Sequence, residues 1–398
     1  MNATPMLNWI AGRHDEMLAR TMRLAEINSG SFHVEGVNRV GQQLAEWIAP
    51  LADTLELVEV PPFAAIDDHG DATQRPLGRA LIASKRADAP VQVVLSGHLD
   101  TVFAKDHAFQ SLSWLDEHHL NGPGVTDLKG GLMVMLTALQ AFEMSAQRAR
   151  LGWQLVLNPD EEIGSQSSMA LFERAAKRAQ YGLLYEPCMA DGTLAGARKG
   201  SGNFTLVARG RAAHAGREHH LGRNAIRALA DAISAIDQLN GQRCGVTFNP
   251  GFIHGGGAVN VVPDTAVARF NVRMQQPQDC AWCEQQIEAA LRPIRQRDGI
   301  TLELHGGFTR PPKPMTAPLE HLFELARACA EQIDLDLNWA PTGGCCDGNN
   351  LAALGVPNID TLGVQGGKIH SVDEYLDVRS LVPRAQLSAL LLERLAEA

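Results

Sequence analysis

The stretch Val91–Phe103, VQVVLSGHLDTVF, decides how the rest of the sequence is interpreted. It begins with a short Val-rich apolar run, typical of a buried strand, and continues into two polar side chains, His98 and Asp100. Two more short apolar runs, Trp153–Leu157 and Tyr181–Tyr185, follow along the chain. Longer segments with helical character separate the three runs: Leu128–Phe142 and Ser168–Lys177. Strands that alternate with helices predict an α/β sheet covered by helices on both faces.

The composition of the chain is that of an ordinary globular protein, with 398 residues, 45% hydrophobic and 20% charged. This length predicts two or three compact domains, each able to bury a core. Asp and Glu total 45 against 35 Lys and Arg, which gives a net charge of −10. Because phosphate backbones are bound by clustered Lys and Arg, we do not expect nucleic acid as a partner.

The cysteines indicate a reducing compartment, since the seven are scattered and odd in number, unlike the framework of a secreted disulfide-rich domain. The N-terminal segment has no basic stretch followed by a long apolar one. No run approaches the roughly 20 apolar residues of a membrane-spanning helix. We therefore expect a soluble, cytoplasmic protein without a membrane partner.

A self-contained pattern begins near Gly200 and runs strand, helix, strand, strand, helix, strand. The predicted segments are Asn203–Ala208, Arg223–Leu239, Cys244–Phe248, Ala266–Val272, Pro277–Arg297 and Thr301–Leu304. This βαββαβ order is that of a ferredoxin-like domain. Because the helix and strand alternation resumes after Pro311-Pro312, the sequence predicts an insertion at 199–309 within a larger domain formed by 1–198 and 310–398.

Five short segments concentrate His, Asp and Glu, three of them directly after the predicted strands. They are Ser96–Phe103, Gly122–Gly131, Asn158–Ser165, Tyr185–Pro187 and Lys368–Glu374. In open α/β sheets, ligands bind at the carboxyl ends of the strands, so these polar residues would emerge at one edge. Unpaired carboxylates would repel each other there and would be costly to bury.

A bound cation would resolve this repulsion, and the set of side chains suits zinc. Two imidazoles and three carboxylates are enough for a pair of Zn²⁺ ions, one carboxylate bridging both. His98 and Asp100 are two residues apart on a strand end and face the same side, so Asp100 can orient the imidazole. Any one of these motifs alone would more simply be a loop cap or a solvated acid.

Taken together, the segments resemble the M20 family of co-catalytic zinc peptidases and deacylases. Thr101-Val102-Phe103 after Asp100 is most similar to the glutamate carboxypeptidase branch of that family. The resemblance covers nearly the whole chain. It implies an α/β zinc-peptidase catalytic domain in which the inserted βαββαβ segment is a lid or dimerisation domain.

The resemblance also assigns metal ligands, for two Zn²⁺ per chain. It makes His98 and Glu186 ligands of one ion, Glu162 and His370 ligands of the other, and Asp127 the bridge between them. A cis peptide bond often follows the bridging Asp in this family, here between Asp127 and Leu128.

The catalytic roles implied by the resemblance fall on Asp100, Glu161 and His214. Asp100 supports His98, and Glu161 is the general base that takes a proton from the attacking water and passes it to the leaving amine. His214, in Gly-Arg-Ala-Ala-His-Ala-Gly, matches a lid histidine that stabilises the tetrahedral oxyanion of the partner subunit's substrate. The resemblance therefore implies a homodimer formed through the lid.

The substrate carboxylate is held in relatives by residues that match Asn260 and Arg273, and a guanidinium can bind a carboxylate through two hydrogen bonds. Arg310 and the loop Gly343–Asn349 are further candidates for the pocket. This loop departs from the family pattern, because relatives usually carry Thr or Ser where Cys345 and Cys346 stand, and thiols are weak hydrogen-bond donors.

Three functional hypotheses follow. The first is a di-zinc carboxypeptidase that removes a C-terminal residue, such as glutamate, from a peptide or N-acyl amino acid. The second is an N-acyl amino acid deacylase of the acetylornithine or succinyl-diaminopimelate type, which performs the same chemistry on an amide. The third is a non-catalytic metal-binding protein, which would be indicated by a missing base or ligand, and none is missing.

Overall fold

The computed structural model describes residues 5–397. Its α-helices are α1 (Pro5–Ala11), α2 (His14–Ala25), α3 (Val34–Ile48), α4 (Gly130–Phe142), α5 (Met169–Ala176), α6 (Ala225–Asp237), α7 (Gln278–Arg295), α8 (Ala317–Glu331), α9 (Asp347–Ala353) and α10 (Leu381–Glu397). Its strands are β1 (Thr54–Val58), β2 (Phe63–Ile66), β3 (Ala72–Arg75), β4 (Ala80–Lys85), β5 (Val91–His98), β6 (Ser113–Trp114), β7 (His119–Asn121), β8 (Leu151–Asn158), β9 (Tyr181–Leu184), β10 (Leu194–Arg198), β11 (Gly200–Arg209), β12 (Ala213–His214), β13 (Thr247–Gly255), β14 (Val261–Val262), β15 (Thr265–Met274), β16 (Thr301–Arg310), β17 (Trp339–Thr342), β18 (Asn358–Ile359), β19 (Gly366–Gly367) and β20 (Tyr375–Asp377).

The chain forms two compact units. The first comprises the chain up to Pro62, Pro76–Ala197, and the chain from Met315 onward. The second comprises Phe63–Arg75 and Arg198–Pro314. None of the helices described in residues 5–397 is long and apolar enough to cross a membrane.

A six-stranded sheet organises the first unit, in the order β1-β4-β8-β5-β9-β18. The strands β8, β5, β9 and β18 are parallel, and β4 and β1 continue the sheet in antiparallel pairs. The strands predicted from the three apolar runs are β5, β8 and β9. All eight residues of β5 are buried, so this strand lies in the middle of the fold and carries His98 to the carboxyl edge.

Both faces of this sheet are covered, as the alternation of strands and helices predicted. Val93 and Leu95 of β5 belong to the larger core, which includes residues of α1, α2, α3, α4, α8 and α10. Val94 points to the opposite face and joins a smaller core with Phe172 of α5 and Leu351 of α9. The alternating side chains of one strand therefore build two apolar layers.

The second unit has a four-stranded antiparallel sheet in the order β13-β15-β11-β16. The strands and the helices α6 and α7 follow in the order β11, α6, β13, β15, α7, β16, which is the βαββαβ pattern. Buried residues such as Phe270 of β15, Leu229 of α6 and Ile287 of α7 share one core on one face of the sheet. The predicted α/β fold with an inserted ferredoxin-like unit is confirmed.

Two details of the second unit differ from the sequence analysis. The prediction of an insertion at 199–309 did not include the hairpin Phe63–Arg75, which packs with this unit; for example, Arg209 donates a hydrogen bond to the carbonyl of Gly70 at 2.7 Å. The predicted strand Cys244–Phe248 was wrong in its bounds, because β13 begins only at Thr247. Gly245 has a φ of 78°, which ends any extended segment there.

Candidate metal centre

The last residue of the central strand β5, His98, is buried at the carboxyl edge of the sheet. Its Nδ1 donates a hydrogen bond to the backbone carbonyl of Asp100 at 3.0 Å. Its Nε2 therefore faces the acidic side chains, lying 3.1 Å from Oδ1 of Asp127 and 3.8 Å from Oε2 of Glu186. Glu186 comes directly after Tyr185, the residue that follows β9.

The carboxylate of Asp127 lies between two pairs of side chains. Asp127 belongs to the kinked segment Val125–Lys129 that leads into α4, where Asp127 and Leu128 have non-helical backbone angles and the peptide bond between them is cis. Its Oδ1 faces His98, and its Oδ2 lies 3.2 Å from Nε2 of His370.

The second pair is formed by His370 and Glu162, whose Oε2 is 3.2 Å from Nε2 of His370. The structure thus brings together all five side chains that the resemblance implied as ligands. Each oxygen of Asp127 faces one imidazole, and each imidazole has a glutamate beside it.

Asp100 supports more than His98. Its buried carboxylate accepts the backbone N–H groups of Glu161 at 3.2 Å and Glu162 at 3.3 Å. It also accepts the hydroxyl of Ser31 at 2.7 Å. The sequence analysis predicted only the interaction with His98, which the structure has at 3.4 Å between Nδ1 and Oδ1. Asp100 therefore connects the end of β5 to the 3₁₀ turn that carries both glutamates.

The two adjacent glutamates reach different parts of the cluster. A carboxylate oxygen of Glu161 lies within 4.8 Å of ligand atoms of His98 and Glu186. A carboxylate oxygen of Glu162 lies within the same distance of ligand atoms of His98 and Asp127. The turn therefore directs both side chains to the centre from one backbone segment.

The ionisation of the cluster reflects its crowded acids. Burial would raise the pKa of Asp127, but hydrogen bonds with His370 and His98 hold it below its usual value. Hydrogen bonds with Asp127 and Glu162 raise the pKa of His370 to about 11. Burial would lower the pKa of His98, yet hydrogen bonds with Asp100 and Asp127 raise it well above its usual value. Positive charge on the imidazoles is therefore strongly favoured by the surrounding carboxylates.

One further observation indicates that these side chains could bind a pair of divalent ions. Oε1 of Glu162 is buried, and no hydrogen-bond partner reaches it among residues 5–397. A buried carboxylate oxygen without a partner is costly, and a metal ion is a partner that would remove this cost. The surrounding donors are imidazole nitrogens and carboxylate oxygens, which zinc accepts readily.

Glu374 is a residue to which the sequence analysis gave no role. Its buried carboxylate accepts the backbone N–H groups of Thr126 at 2.9 Å, Asp127 at 3.0 Å and Gly124 at 3.2 Å. Burial and the charge of Asp127 raise the pKa of Glu374 to about 7. The only signal in the sequence was an acid four residues after His370, which does not by itself indicate a backbone contact.

A buried polar network lies next to the turn of Glu161 and Glu162 and was also not predicted. Asp347, the first residue of α9, accepts the hydroxyl of Ser165 at 2.6 Å and the amide of Asn158 at 2.9 Å. Burial raises the pKa of Asp160, which accepts a hydrogen bond from Ser168, to about 6. This network fixes the far side of the turn from Asp100.

Cys346, one of the two thiols that stand where relatives usually carry Thr or Ser, caps the helix α9. Its Sγ accepts the N–H of Gly348 at 3.3 Å, and its own N–H donates to the side chain of Asn349 at 3.1 Å. This is a capping box in which sulfur replaces a hydroxyl oxygen. The thiol thus holds Asp347 at the start of the helix.

His214 and Asn260 lie together within the second unit. The short strand β12 pairs with β14, and Ala215 donates its N–H to the carbonyl of Asn260 at 2.8 Å. Nδ1 of His214 accepts the backbone N–H groups of Gly216 at 3.1 Å and Arg217 at 3.2 Å. Because Nδ1 must carry a lone pair to accept them, the proton of the neutral ring sits on Nε2. The exposed side chain is therefore a hydrogen-bond donor at Nε2.

Arg273 and Arg310 flank one residue of the sheet in the second unit. Ser201 of β11 pairs with Arg273 of β15 on one side and with Arg310 of β16 on the other. Directly paired residues of antiparallel strands share a face, so both arginines lie on the same face of the sheet. Nε of Arg273 donates to the side chain of Asn271 at 2.9 Å, and Arg310 is buried.

Comparison with known proteins shows which family the sequence matches. The sequence profile of peptidase family M20/M25/M40 matches residues 94–394. Carboxypeptidase G2 of Pseudomonas sp. (strain RS-16) is 25% identical over 375 residues, 93% of this chain and 87% of that protein. Succinyl-diaminopimelate desuccinylase of Acinetobacter baylyi is 27% identical over 293 residues, 69% of this chain and 75% of that protein. A solved dinuclear metal binding peptidase from Bacillus subtilis aligns with a TM-score of 0.65 and 16% identity, covering 97% of this chain and 99% of that one.

Proposed function

The chain belongs to peptidase family M20/M25/M40 and is a hydrolase, and from that membership we propose a specific reaction for it. It is a di-zinc enzyme that cleaves the amide bond of a C-terminal amino acid, such as glutamate, in a peptide or N-acyl amino acid. The observation that carries the proposal is that Asp127 faces both imidazoles, with Oδ1 3.1 Å from His98 and Oδ2 3.2 Å from His370, while Glu186 lies near His98 and Glu162 near His370.

In this proposal the five side chains would hold two zinc ions, and Asp127 would be shared by the two sites. Bound there, the pair would lower the pKa of a water molecule and polarise the carbonyl of the scissile amide. The dinuclear metal site named for the peptidase from Bacillus subtilis supports this count. The buried, unpartnered Oε1 of Glu162 supports a ligand role for that residue.

Glu161 is the general base. Its backbone is held by Asp100, and its carboxylate stands beside His98 and Glu186, within reach of a water at the centre. It accepts the proton of the attacking water and then donates it to the nitrogen of the leaving amino acid. A carboxylate is the right group for both steps, because it gives up in the second the proton that it gained in the first.

The second unit supplies the remaining groups, and in this proposal it does so across a homodimer. Nε2 of His214 donates to the oxyanion of the partner subunit's substrate, a role that its protonated Nε2 supports. Asn260 lies beside it, and Arg273 and Arg310 bind the carboxylate of the substrate. Two guanidinium groups on one face of a sheet favour an anionic substrate.

A deacylase is the second candidate. The similarity to a succinyl-diaminopimelate desuccinylase favours it, because an N-succinyl amino acid also presents a carboxylate and is cleaved at an amide. The residues at the metal centre would perform the same chemistry in either enzyme. The groups that contact the acyl side of the substrate would decide between them.

The cytoplasm is the proposed compartment of the enzyme. None of the seven cysteines, all of which lie within residues 5–397, forms a disulfide, and six of them are buried or half-buried. This is the state expected in a reducing compartment.

The release of free amino acid from matched compounds tests the proposal. The compounds are an N-acyl glutamate, its α-amide, and an N-succinyl amino acid, each incubated with zinc-loaded protein. We expect turnover of the free acid, much slower turnover of the amide, none after chelation, and a large loss with Glu161→Gln. Preference for the N-succinyl compound would favour the deacylase. Absence of hydrolysis of all three by fully metal-loaded protein would contradict both.

A further inference from the structure

We propose that Glu374 is a positioning residue that sets the separation of Asp127 and His370, and thereby the affinity of the metal site that these two residues share with Glu162. The inference rests on the proposed function for the existence of that site. Glu374 would not touch the metal, the water or the substrate.

The carboxylate of Glu374 contacts the segment that precedes α4. Both oxygens of the Glu374 carboxylate are used, Oε1 by the N–H groups of Thr126 and Asp127 and Oε2 by that of Gly124. The side chain is 1% exposed, so water does not compete for these bonds. The acceptor therefore fixes the backbone of Asp127 itself, and with it the direction of the bridging carboxylate.

Further hydrogen bonds involve the segment that carries His370. Asn121 donates its side-chain amide to the carbonyls of Val372 at 3.0 Å and Glu374 at 2.7 Å. The hydroxyl of Thr126 donates to the carbonyl of Tyr375 at 2.6 Å. The backbone on both sides of Glu374 is thus joined to the segment of Asp127. Glu374 lies at the centre of this connection, four residues after His370.

The two sites are asymmetric. His98 ends the buried strand β5, and Glu186 closely follows β9, so the sheet fixes both. His370 lies in the segment between β19 and β20, and its side chain is 52% exposed. His370 lies 3.2 Å from Asp127, and we infer that the connection through Glu374 maintains this approach. A change at Glu374 should therefore weaken the site at His370 more than the site at His98.

The replacement Glu374→Gln isolates this role because it keeps the size of the side chain. Glutamine offers one acceptor oxygen and turns the other position into a donor that faces a backbone N–H. Glu374→Asp keeps the charge and moves it back by one carbon. Glu143→Gln is the matched control, since Glu143 is a largely buried acid that accepts hydrogen bonds from Arg86 and Trp153 and none from the metal-binding segments.

The experiment is a titration of metal-free protein with zinc, followed by calorimetry, and with cobalt, followed by absorption, together with thermal unfolding of each variant. We expect two sites in the natural protein and in Glu143→Gln. In Glu374→Gln we expect one site weakened by about 10–100-fold, the range for residues that support metal ligands, and the other weakened clearly less. Glu374→Asp should lie between these results.

Two outcomes would overturn the inference. One is a folded Glu374→Gln protein that binds both ions as the natural protein does. The other is equal weakening of both sites, or failure of both Glu374 variants to fold, either of which would make Glu374 a residue of general structure. A natural protein that binds fewer than two ions would instead contradict the proposed function, so the two failures are distinguishable.

Discussion

Glu161 and Glu162 share one turn but contribute to the centre in different ways. Oε2 of Glu162 is 3.2 Å from His370 and its other oxygen is buried without a partner, whereas Glu161 is placed beside His98 and Glu186. We expect Glu161→Gln to lower kcat by roughly 10²–10⁴-fold, since it removes a base and keeps its shape. Metal analysis of the purified variant should still give two zinc ions per chain.

The matched variant is Glu162→Gln, which should lose zinc together with activity. Loss of zinc from Glu161→Gln, with retention in Glu162→Gln, would show that the two roles are assigned in the wrong order.

A second prediction concerns the protons that His98 and His370 release when zinc binds. Because hydrogen bonds with neighbouring carboxylates raise the pKa of His370 to about 11 and that of His98 well above its usual value, we expect both imidazoles to be positively charged in metal-free protein at pH 7. Zinc must displace those protons, so binding should release them and the apparent affinity should rise with pH. Calorimetric titration at pH 7 in buffers of different ionisation enthalpy measures the number released. An identical binding heat in all buffers would contradict this account.

The pattern of apolar runs predicted the positions of the residues at strand ends: His98 ends β5, the turn of Glu161 and Glu162 comes soon after β8, and Glu186 follows soon after β9. The ligand and catalytic roles, and the inclusion of Asp127 and His370, came from the family resemblance and not from the apolar pattern. Glu374 was not predicted, because its function lies in contacts with a segment about 250 residues away. No local pattern distinguishes such an acid from a solvated one.

Among the helices and strands, those with a periodic apolar pattern were likewise predicted, and those that depend on distant contacts were not. Buried strands such as β5 and the βαββαβ unit have periodic apolar patterns and were predicted, although β13 was misplaced at its start. The hairpin of β2 and β3 is short and has few buried residues. Its attachment to the rest of the second unit includes hydrogen bonds from Arg209 and Arg269 to the turn of the hairpin. Burial patterns within a short exposed segment cannot reveal such partners.

The first turn of α4 packs closely against the residue that follows β9, and this contact gives a testable prediction. A Cβ at Gly131 would come within 2.1 Å of the carbonyl oxygen of Tyr185, the residue before Glu186. Gly131→Ala must therefore push the helix away from the end of β9. We expect a loss of about 1–3 kcal/mol of unfolding free energy, the range for overpacked sites, and weaker zinc binding.

The control is Gly12→Ala, where the nearest atom to a new Cβ is 3.7 Å away. Denaturant unfolding of both variants gives the comparison. Equal stability of Gly131→Ala and Gly12→Ala would show that the close approach of α4 to Tyr185 is not a constraint.

At the scale of the whole molecule, the proposal requires two chains in one active enzyme. If His214 serves the partner subunit, a mixture of inactive Glu161→Gln chains and inactive His214→Ala chains should recover activity. One site of each mixed dimer would then combine an intact Glu161 with an intact His214. Random exchange gives half of the dimers this composition, so recovery should approach a quarter of the natural activity.

The exchange itself must be shown independently, for example with two differently tagged chains. Demonstrated exchange without any recovered activity would exclude donation by His214 across the dimer.

The most direct test of the central claim is anomalous diffraction from zinc-loaded crystals, recorded on both sides of the zinc absorption edge. The account predicts two zinc peaks per chain, one bound by His98 and Glu186 and one by His370 and Glu162, each about 2.0–2.2 Å from a carboxylate oxygen of Asp127. A single peak, or two peaks that do not share Asp127, would contradict it.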